Sequence, residues 1–316
     1  MTQSSAARSS AARSSAARSS AAAHGTTPPR AARLRRGDVA AAYDRDGYLV
    51  IPGALPAATL AAVRAEATAI CRGLRGPIDG IARSDPADPD EDVLRRHLCV
   101  HFPHKVSPLM LGIARQPAAV RVLTEVIGPN VKMMQSMLFI KSEGKPGQAW
   151  HQDEAHIPTR DRSLTAVWIA LDDATVENGC LWVIPGSHRA GVLHPVRDQH
   201  DARFDCTQEA YGFGYREQDA VPVELPAGSA VVFDGYLLHR SLPNSGRRGL
   251  RRALVNHYMS AESLLPWFPP GGPEPMALLD HRDVELVAGR DPYAYRGTAD
   301  LMRPHIRPDG QGGCAR

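Results

Sequence analysis

The densest chemistry in the chain lies at Trp150-His151-Gln152-Asp153-Glu154. His151 and Asp153 are two residues apart, so on an extended strand both side chains leave the same face. An imidazole nitrogen and a carboxylate oxygen on one face make two-thirds of a facial metal triad. His239 is the candidate third ligand. It follows Val231-Val-Phe-Asp-Gly-Tyr-Leu-Leu, which reads as a strand and its short extension. Two histidines and one carboxylate with open positions suit non-haem Fe(II), whose chemistry needs room for a chelating cosubstrate and dioxygen. A closed four-ligand site would be structural instead. H-x-D alone is a weak signal, because a strand histidine is usually just a hydrogen-bonded polar residue.

The segment after His239 strengthens it. Arg247, Arg248, Arg251 and Arg252 lead into the apolar run Ala253–Met259. An arginine aimed inward at the start of a strand would be an uncompensated buried charge without an anionic partner. The far carboxylate of an iron-bound dicarboxylate supplies one, in bidentate geometry. Two or three of these four arginines are expected in a solvated turn.

Positioning such a site takes several strands. From Val131 onward, short apolar segments alternate with turn signals: Val131–Lys141, Leu164–Leu171, Cys180–Pro185, Ala230–Phe233 and Ala253–Met259. Many short strands with frequent Gly and Pro predict a sandwich or barrel. Helices are expected earlier, over Ala40–Tyr43, Leu55–Arg72 and, as one element, Pro108–Ile127, with a strand at Gly47–Gly53 and a loop over 76–92. Asn178-Gly179 reads as the tight turn of a hairpin between two core strands. Pro185-Gly-Ser-His188 reads as structural.

These motifs, in this order, resemble the phytanoyl-CoA dioxygenase family of Fe(II)/2-oxoglutarate-dependent oxygenases. The resemblance runs from about Tyr43 to Met259. It rests on Tyr43-Asp-Arg-Asp-Gly-Tyr-Leu-Val-Ile-Pro-Gly, Gln148-Ala-Trp-His-Gln-Asp, Val167-Trp-Ile-Ala-Leu-Asp-Asp with Asn178-Gly-Cys-Leu-Trp-Val-Ile-Pro-Gly-Ser-His188, and the run His239…Ser241…Asn244…Arg251-Arg-Ala-Leu. It implies a mainly β fold with flanking helices around a double-stranded β-helix (jelly-roll, cupin-like) core. It implies His151, Asp153 and His239 as iron ligands, Arg251 as the anchor of the 2-oxoglutarate C5 carboxylate, and Ser241 as its helper. Trp168 matches an aromatic lining the cosubstrate pocket. Gln135 and Lys141 match positions facing cosubstrate or substrate. The loop between His239 and Arg251 is one residue longer than the commonest spacing, which leaves Arg252 and Arg248 in competition with Arg251. The implied reaction uses Fe(II), 2-oxoglutarate and O2 to hydroxylate a small molecule, with release of succinate and CO2. Asp153 stands where related halogenases have a small residue, so halogenation is disfavoured. Desaturation, cyclisation and epimerisation use the same triad and stay open.

Two other classes compete: a small-molecule binding protein with the same shell, and a zinc hydrolase with the same three ligands. Further residues are expected near the site. His101-Phe-Pro-His104 has two histidines but no third ligand nearby, and reads as a substrate-pocket or capping element or a surface loop. His156 is placed to reach substrate, and His257 reads as a satisfied core histidine. Trp267-Phe-Pro-Pro reads as a plug over the barrel mouth. Substrate choice is assigned to loops 76–106, 190–222 and 262–300.

Composition bounds the rest. The chain has 316 residues, room for one large domain or two modest ones. No run reaches the roughly 20 apolar residues of a membrane-spanning helix. Five cysteines without a C-x-x-C pair suggest a reducing compartment, and the cytoplasm is the expected location. Residues 1–37 hold seven arginines and no acid; Ser-Ser-Ala-Ala-Arg repeats from Ser4 to Arg18, and no large apolar residue lies between Met1 and Leu34. They read as a disordered tail, with a transit peptide as the lesser alternative. Residues 38–316 read as one domain, carrying 30 basic against 34 acidic residues, so a nucleic-acid surface is not expected. Oligomeric state is not legible.

Overall fold

The computed structural model describes residues 37–205, 207–263, 284–298, 300 and 302–307. The expected N-terminal tail and the Trp267-Phe-Pro-Pro plug lie outside them.

The chain begins with helix α1 (Asp38–Asp46), whose end is set by Gly47 in the left-handed conformation (φ 79°). It continues through β1 (Tyr48–Ile51), α2 (Ala57–Cys71), α3 (Asp90–Arg95), β2 (Cys99–His101), α4 (Pro108–Ile113) and α5 (Pro117–Val126). Three differences from the sequence expectation are local. Helix α3 begins at Asp90, inside the expected 76–92 loop. The α1 helix is longer than Ala40–Tyr43, and the Pro108–Ile127 stretch is two helices, not one. Pro117 explains the break. Proline disfavours the helical region at the residue before it, and Gln116 is extended (φ −58°, ψ 126°).

Strands follow: β3 (Val131–Lys141), β4 (Gln148–His151), β5 (Thr165–Ala170), β6 (Leu181–Val183), β7 (Val196–Arg197), β8 (Glu209–Ala210), β9 (Val221–Val223), β10 (Ala230–Asp234), β11 (His239–Ser241), β12 (Arg251–Ser260), β13 (Glu285–Ala288) and β14 (His305–Arg307). They form a large sheet in the order β1-β10-β5-β12-β3-β2-β14, with β13 added to β3, a smaller sheet β4-β11-β6-β9, and a separate two-stranded ribbon β7-β8. The pairings within both sheets are antiparallel. This is the jelly-roll arrangement.

Strand alternation divides the core in two. Val167, Ile169, Val232, Leu254 and Tyr258 face the helices and pack with Val63, Ile70, Met110 and Leu123. Ala166, Trp168, Val231, Phe233, Ala253 and Val255 face the smaller sheet and pack with Leu181, Val183 and Leu237. A β-bulge interrupts the β12–β3 pairing between His257 and Tyr258: His257 pairs with Gln135, and Tyr258 pairs with Met133. The extra residue is Met134. It keeps Met133 on the helix side while Met134 and Gln135 both reach the interior cavity.

The expected Asn178-Gly179 hairpin turn is not one. The strands on either side, β5 and β6, belong to different sheets. Residues Val176–Asn178 make a short 3-10 turn capped at Thr175, and left-handed Gly179 (φ 82°) ends it. The glycine is required there: a Cβ would lie 2.3 Å from the Leu242 carbonyl oxygen.

Candidate active site

The two sheets enclose a cavity of about 360 Å³. His151 ends β4, and His239 begins β11, directly opposite it in register. Asp153 is not on the strand as expected. After extended Gln152 (φ −125°, ψ 127°) it opens a 3-10 turn, Asp153–Ala155. The extended step still brings its carboxylate beside the two rings. Asp153 Oδ1 lies 3.7 Å from His151 Nε2 and 3.6 Å from His239 Nε2. One ligand atom from each of the three residues lies within 4.8 Å of the others, and all three residues are buried.

The tautomers follow from the backbone. His151 Nδ1 donates to the Ala149 carbonyl (2.7 Å) and His239 Nδ1 to the Leu237 carbonyl (3.0 Å). Both Nε2 lone pairs are therefore left for a cation. Burial, and then the neighbouring His239, push His151 well below its ordinary value, which keeps the ring neutral and able to ligate. Burial alone would raise the Asp153 carboxyl, but His239, His257 and His151 outweigh it and hold it below the usual carboxylate range. The donor set fits a divalent metal of the iron or zinc type.

Strand alternation resolves the four arginines. Arg251 is 2% exposed and lines the cavity, its guanidinium 5.4 Å from the Trp168 ring centre. Arg252 points the other way and makes a two-pronged pair with Asp172 (2.8 and 2.9 Å). Arg248 pairs with Glu177 at the surface, and Arg247 is exposed. Arg251 has no acid within ion-pair distance among the described residues, and its buried Nε has no hydrogen-bond partner. Burial pushes it down to about 10. Such a group needs an anion, and a dicarboxylate fits it.

Lys141 adds a second buried cation. Its Nζ donates to Ser241 Oγ (3.0 Å) and the Leu242 carbonyl (2.7 Å). Burial, and then Arg251, hold it well below its ordinary value. Ser241, Trp168 and Gln135 also line the cavity. The structure thus brings together all eight candidate residues: His151, Asp153, His239, Arg251, Ser241, Trp168, Gln135 and Lys141.

His257 is more than a satisfied core histidine. Its Nε2 lies 3.1 Å from Asp153 Oδ2, while its buried Nδ1 has no partner. With Oδ2 held, Oδ1 is the oxygen left for the metal. The signal was available: His257 is six residues after Arg251, so an uninterrupted strand puts both on one face. His156 and His101 line the cavity. His104 does not pair with His101 as a metal site; it is buried, with Nδ1 2.5 Å from Ser136 Oγ.

A family model for phytanoyl-CoA dioxygenase (PhyH) matches residues 43–253, two-thirds of the chain. The chain belongs to the phytanoyl-CoA dioxygenase family. It is 36% identical over 164 residues to an Arabidopsis thaliana phytanoyl-CoA dioxygenase, covering 51% of this chain and 56% of that one. The chain spans little more than half the length of such curated relatives. Among solved structures, the apo form of the non-heme monooxygenase ThoJ superposes with a TM-score of 0.61 at 24% identity, covering 84% of this chain and 88% of that one. The epimerase SnoN, in complex with Fe3+, alpha ketoglutarate and nogalamycin RO, superposes with a TM-score of 0.55 at 22% identity, covering 76% and 92%. At these identities the structures speak to the fold, which this family member shares with them.

Proposed function

We propose that the chain is an Fe(II)- and 2-oxoglutarate-dependent dioxygenase that hydroxylates a small molecule. The observation that carries the reading is the convergence of His151, Asp153 and His239 in one cavity with the unpaired guanidinium of Arg251. A zinc hydrolase explains the three ligands but gives no work to Arg251. A binding protein explains the cavity but not a three-ligand face.

When bound, iron and 2-oxoglutarate supply dioxygen activation coupled to cosubstrate decarboxylation. The chain supplies the rest. His151 and His239 present Nε2 because their Nδ1–H groups are committed to backbone carbonyls. Asp153 presents Oδ1 because His257 holds Oδ2. Arg251 binds the far carboxylate of the cosubstrate. Ser241 helps hold it, and Lys141 orients that hydroxyl through the bond to its Oγ. Trp168, Met137, Val255 and Phe233 wall the pocket with apolar surface and exclude water.

The reading treats residues 38–316 as one catalytic domain acting on a small molecule rather than on nucleic acid. The free, buried cysteines Cys71, Cys99 and Cys180 support a reducing, cytoplasmic setting. Among the described residues no helix is long and apolar enough to cross a membrane.

The test is anaerobic addition of Fe(II) and 2-oxoglutarate, followed by oxygen. A weak visible metal-to-ligand band, then succinate release coupled to O2 uptake, is expected. Absence of the band favours the binding protein, and hydrolysis without O2 uptake favours the zinc enzyme. A substrate screen by mass then separates hydroxylation, which adds one oxygen, from desaturation or oxidative cyclisation, which remove two hydrogens, and from epimerisation, which leaves mass unchanged.

A further inference from the structure

The cavity has a second polar wall, built by a strand beyond the family-matched residues. The β14 strand pairs antiparallel with β2, His305 opposite His101 and Arg307 opposite Cys99. This puts His305 and Arg307 on the cavity. The His305 and His101 rings stack 4.7 Å apart at 4°. Directly after His101 the chain turns at Phe102 in the left-handed region (φ 58°), a costly conformation for a bulky residue outside the sites that need it.

Donors outnumber acceptors on this wall. Gln135 Nε2 lies 3.1 Å from His101 Nδ1, and Arg307 Nε lies 3.4 Å from His101 Nε2. Burial, and then Arg307 and His305, push His101 down to about 3, so the ring is neutral and carries one proton. The carboxylate of this wall is Asp205, and it is already engaged. Oδ2 takes Arg307 Nη1 (3.1 Å), and Oδ1 takes the amide (3.0 Å) and hydroxyl (2.5 Å) of Thr207. Arg307 Nη2 has no partner among the described residues. Apolar surface from Phe102, Met134, Met137, Ile157 and Met302 completes this part of the cavity.

We propose that this wall selects the substrate, and that the substrate is a small carboxylic acid with an apolar body. Arg307 takes the carboxylate through its unpartnered Nη2, the stacked His101 and His305 rings flank it, and the methionines and Phe102 enclose the body. The inference rests on the oxygenase reading for calling this ligand the substrate. One guanidinium, partly offset by Asp205, matches a single planar anion; a phosphoryl group calls for more cation, and nearby Lys105 is held by Asp300 (2.6 Å). The volume sits at the low end for ligand pockets while having to hold cosubstrate too, so the acid is small. Three methionines give a surface that adapts to the shape of the body.

The experiment is calorimetric titration of the full chain, held with Zn(II) and 2-oxoglutarate, with 4-phenylbutyrate, its neutral amide and its CoA thioester. The acid is expected to bind at least tenfold more tightly than the amide. In Arg307→Met the two should bind within about twofold of each other, and in Arg307→Lys, which keeps the charge beside Asp205, the preference should be intermediate. Asp205→Asn, which removes the competing carboxylate, should tighten the acid. Equal binding of acid and amide by the wild type, an undiminished preference in Arg307→Met, or a preference for the thioester would each overturn the proposal. Titration of 2-oxoglutarate into the Zn(II) protein is separate: if it fails, the oxygenase reading fails, while the acid preference is still readable with Zn(II) alone.

Discussion

At the residue scale, the site depends on side chains whose second atoms are already committed. Asp153→Ala removes one of three ligands and is expected to abolish hydroxylation; full turnover by that variant would refute the ligand assignment. His257→Phe leaves all three ligands but frees Asp153 Oδ2. Metal affinity should fall about 10–100-fold, the usual cost of losing an outer-shell partner, as measured by competition with a chromophoric chelator. The neighbouring arginines separate by what they touch. Arg251→Met should raise the KM for 2-oxoglutarate about 10–100-fold, from loss of a charged hydrogen bond worth about 1.5–3 kcal/mol. Arg252→Ala should leave that KM alone and cost about 1.5–3 kcal/mol of stability in urea, because Arg252 serves Asp172 on the helix side. The triad was legible in sequence because H-x-D and a distal histidine come with companion motifs. The choice of Arg251 was not, because loop length fixes no register. His305 and Arg307 gave no signal, since a three-residue strand beside a proline carries no readable period.

At the element scale, the long core strands were legible, but β11 was not: the sequence reads Val231–Leu238 as one strand with a short extension, whereas β10 ends at Asp234 and His239 opens a strand of the other sheet. Alternation and turn residues marked β3, β5, β6, β10 and β12 to within a residue or two. The Asn178-Gly179 misreading has a plain cause: the same dipeptide that favours a two-residue hairpin also suits a left-handed end to a 3-10 turn. Which one forms is decided by whether the flanking strands pair, and that is a property of distant sequence. Gly179 is nonetheless constrained from outside. Gly179→Ala combines an unfavourable φ with a clash on the Leu242 carbonyl, and should cost about 2–4 kcal/mol in urea unfolding. A loss below about 0.5 kcal/mol would mean that the crossover gives way easily.

At the scale of the whole molecule, burial sets the response to acid. His97, His101 and His104 all lie below the ordinary histidine value of 6.5, with burial the largest cause; His101 falls to about 3 and His104 to about 4. The unfolded chain therefore binds protons that the folded chain refuses. Stability is fully present above about pH 6.5 and declines as pH falls, by up to about 1.4 kcal/mol per pH unit for each of His101 and His104, with His97 acting in the same direction. Denaturant titrations of the metal-free protein at pH 7, 6 and 5 should show the decline, and His104→Gln should make it shallower. The mild acidity read from the sequence of residues 38–316 gave no hint of this, because it counts charges without saying which side chains are shut away from water. The pairing of β12 on both edges, with β3 and with β5, bears on how such a gene can vary. Gain or loss of a codon between Ser245 and Leu250 only redraws a surface loop. The same event between Arg252 and His257 would put Arg251 and His257 on opposite faces of the strand, so that the inward guanidinium and the tether on Asp153 are no longer held together by one register.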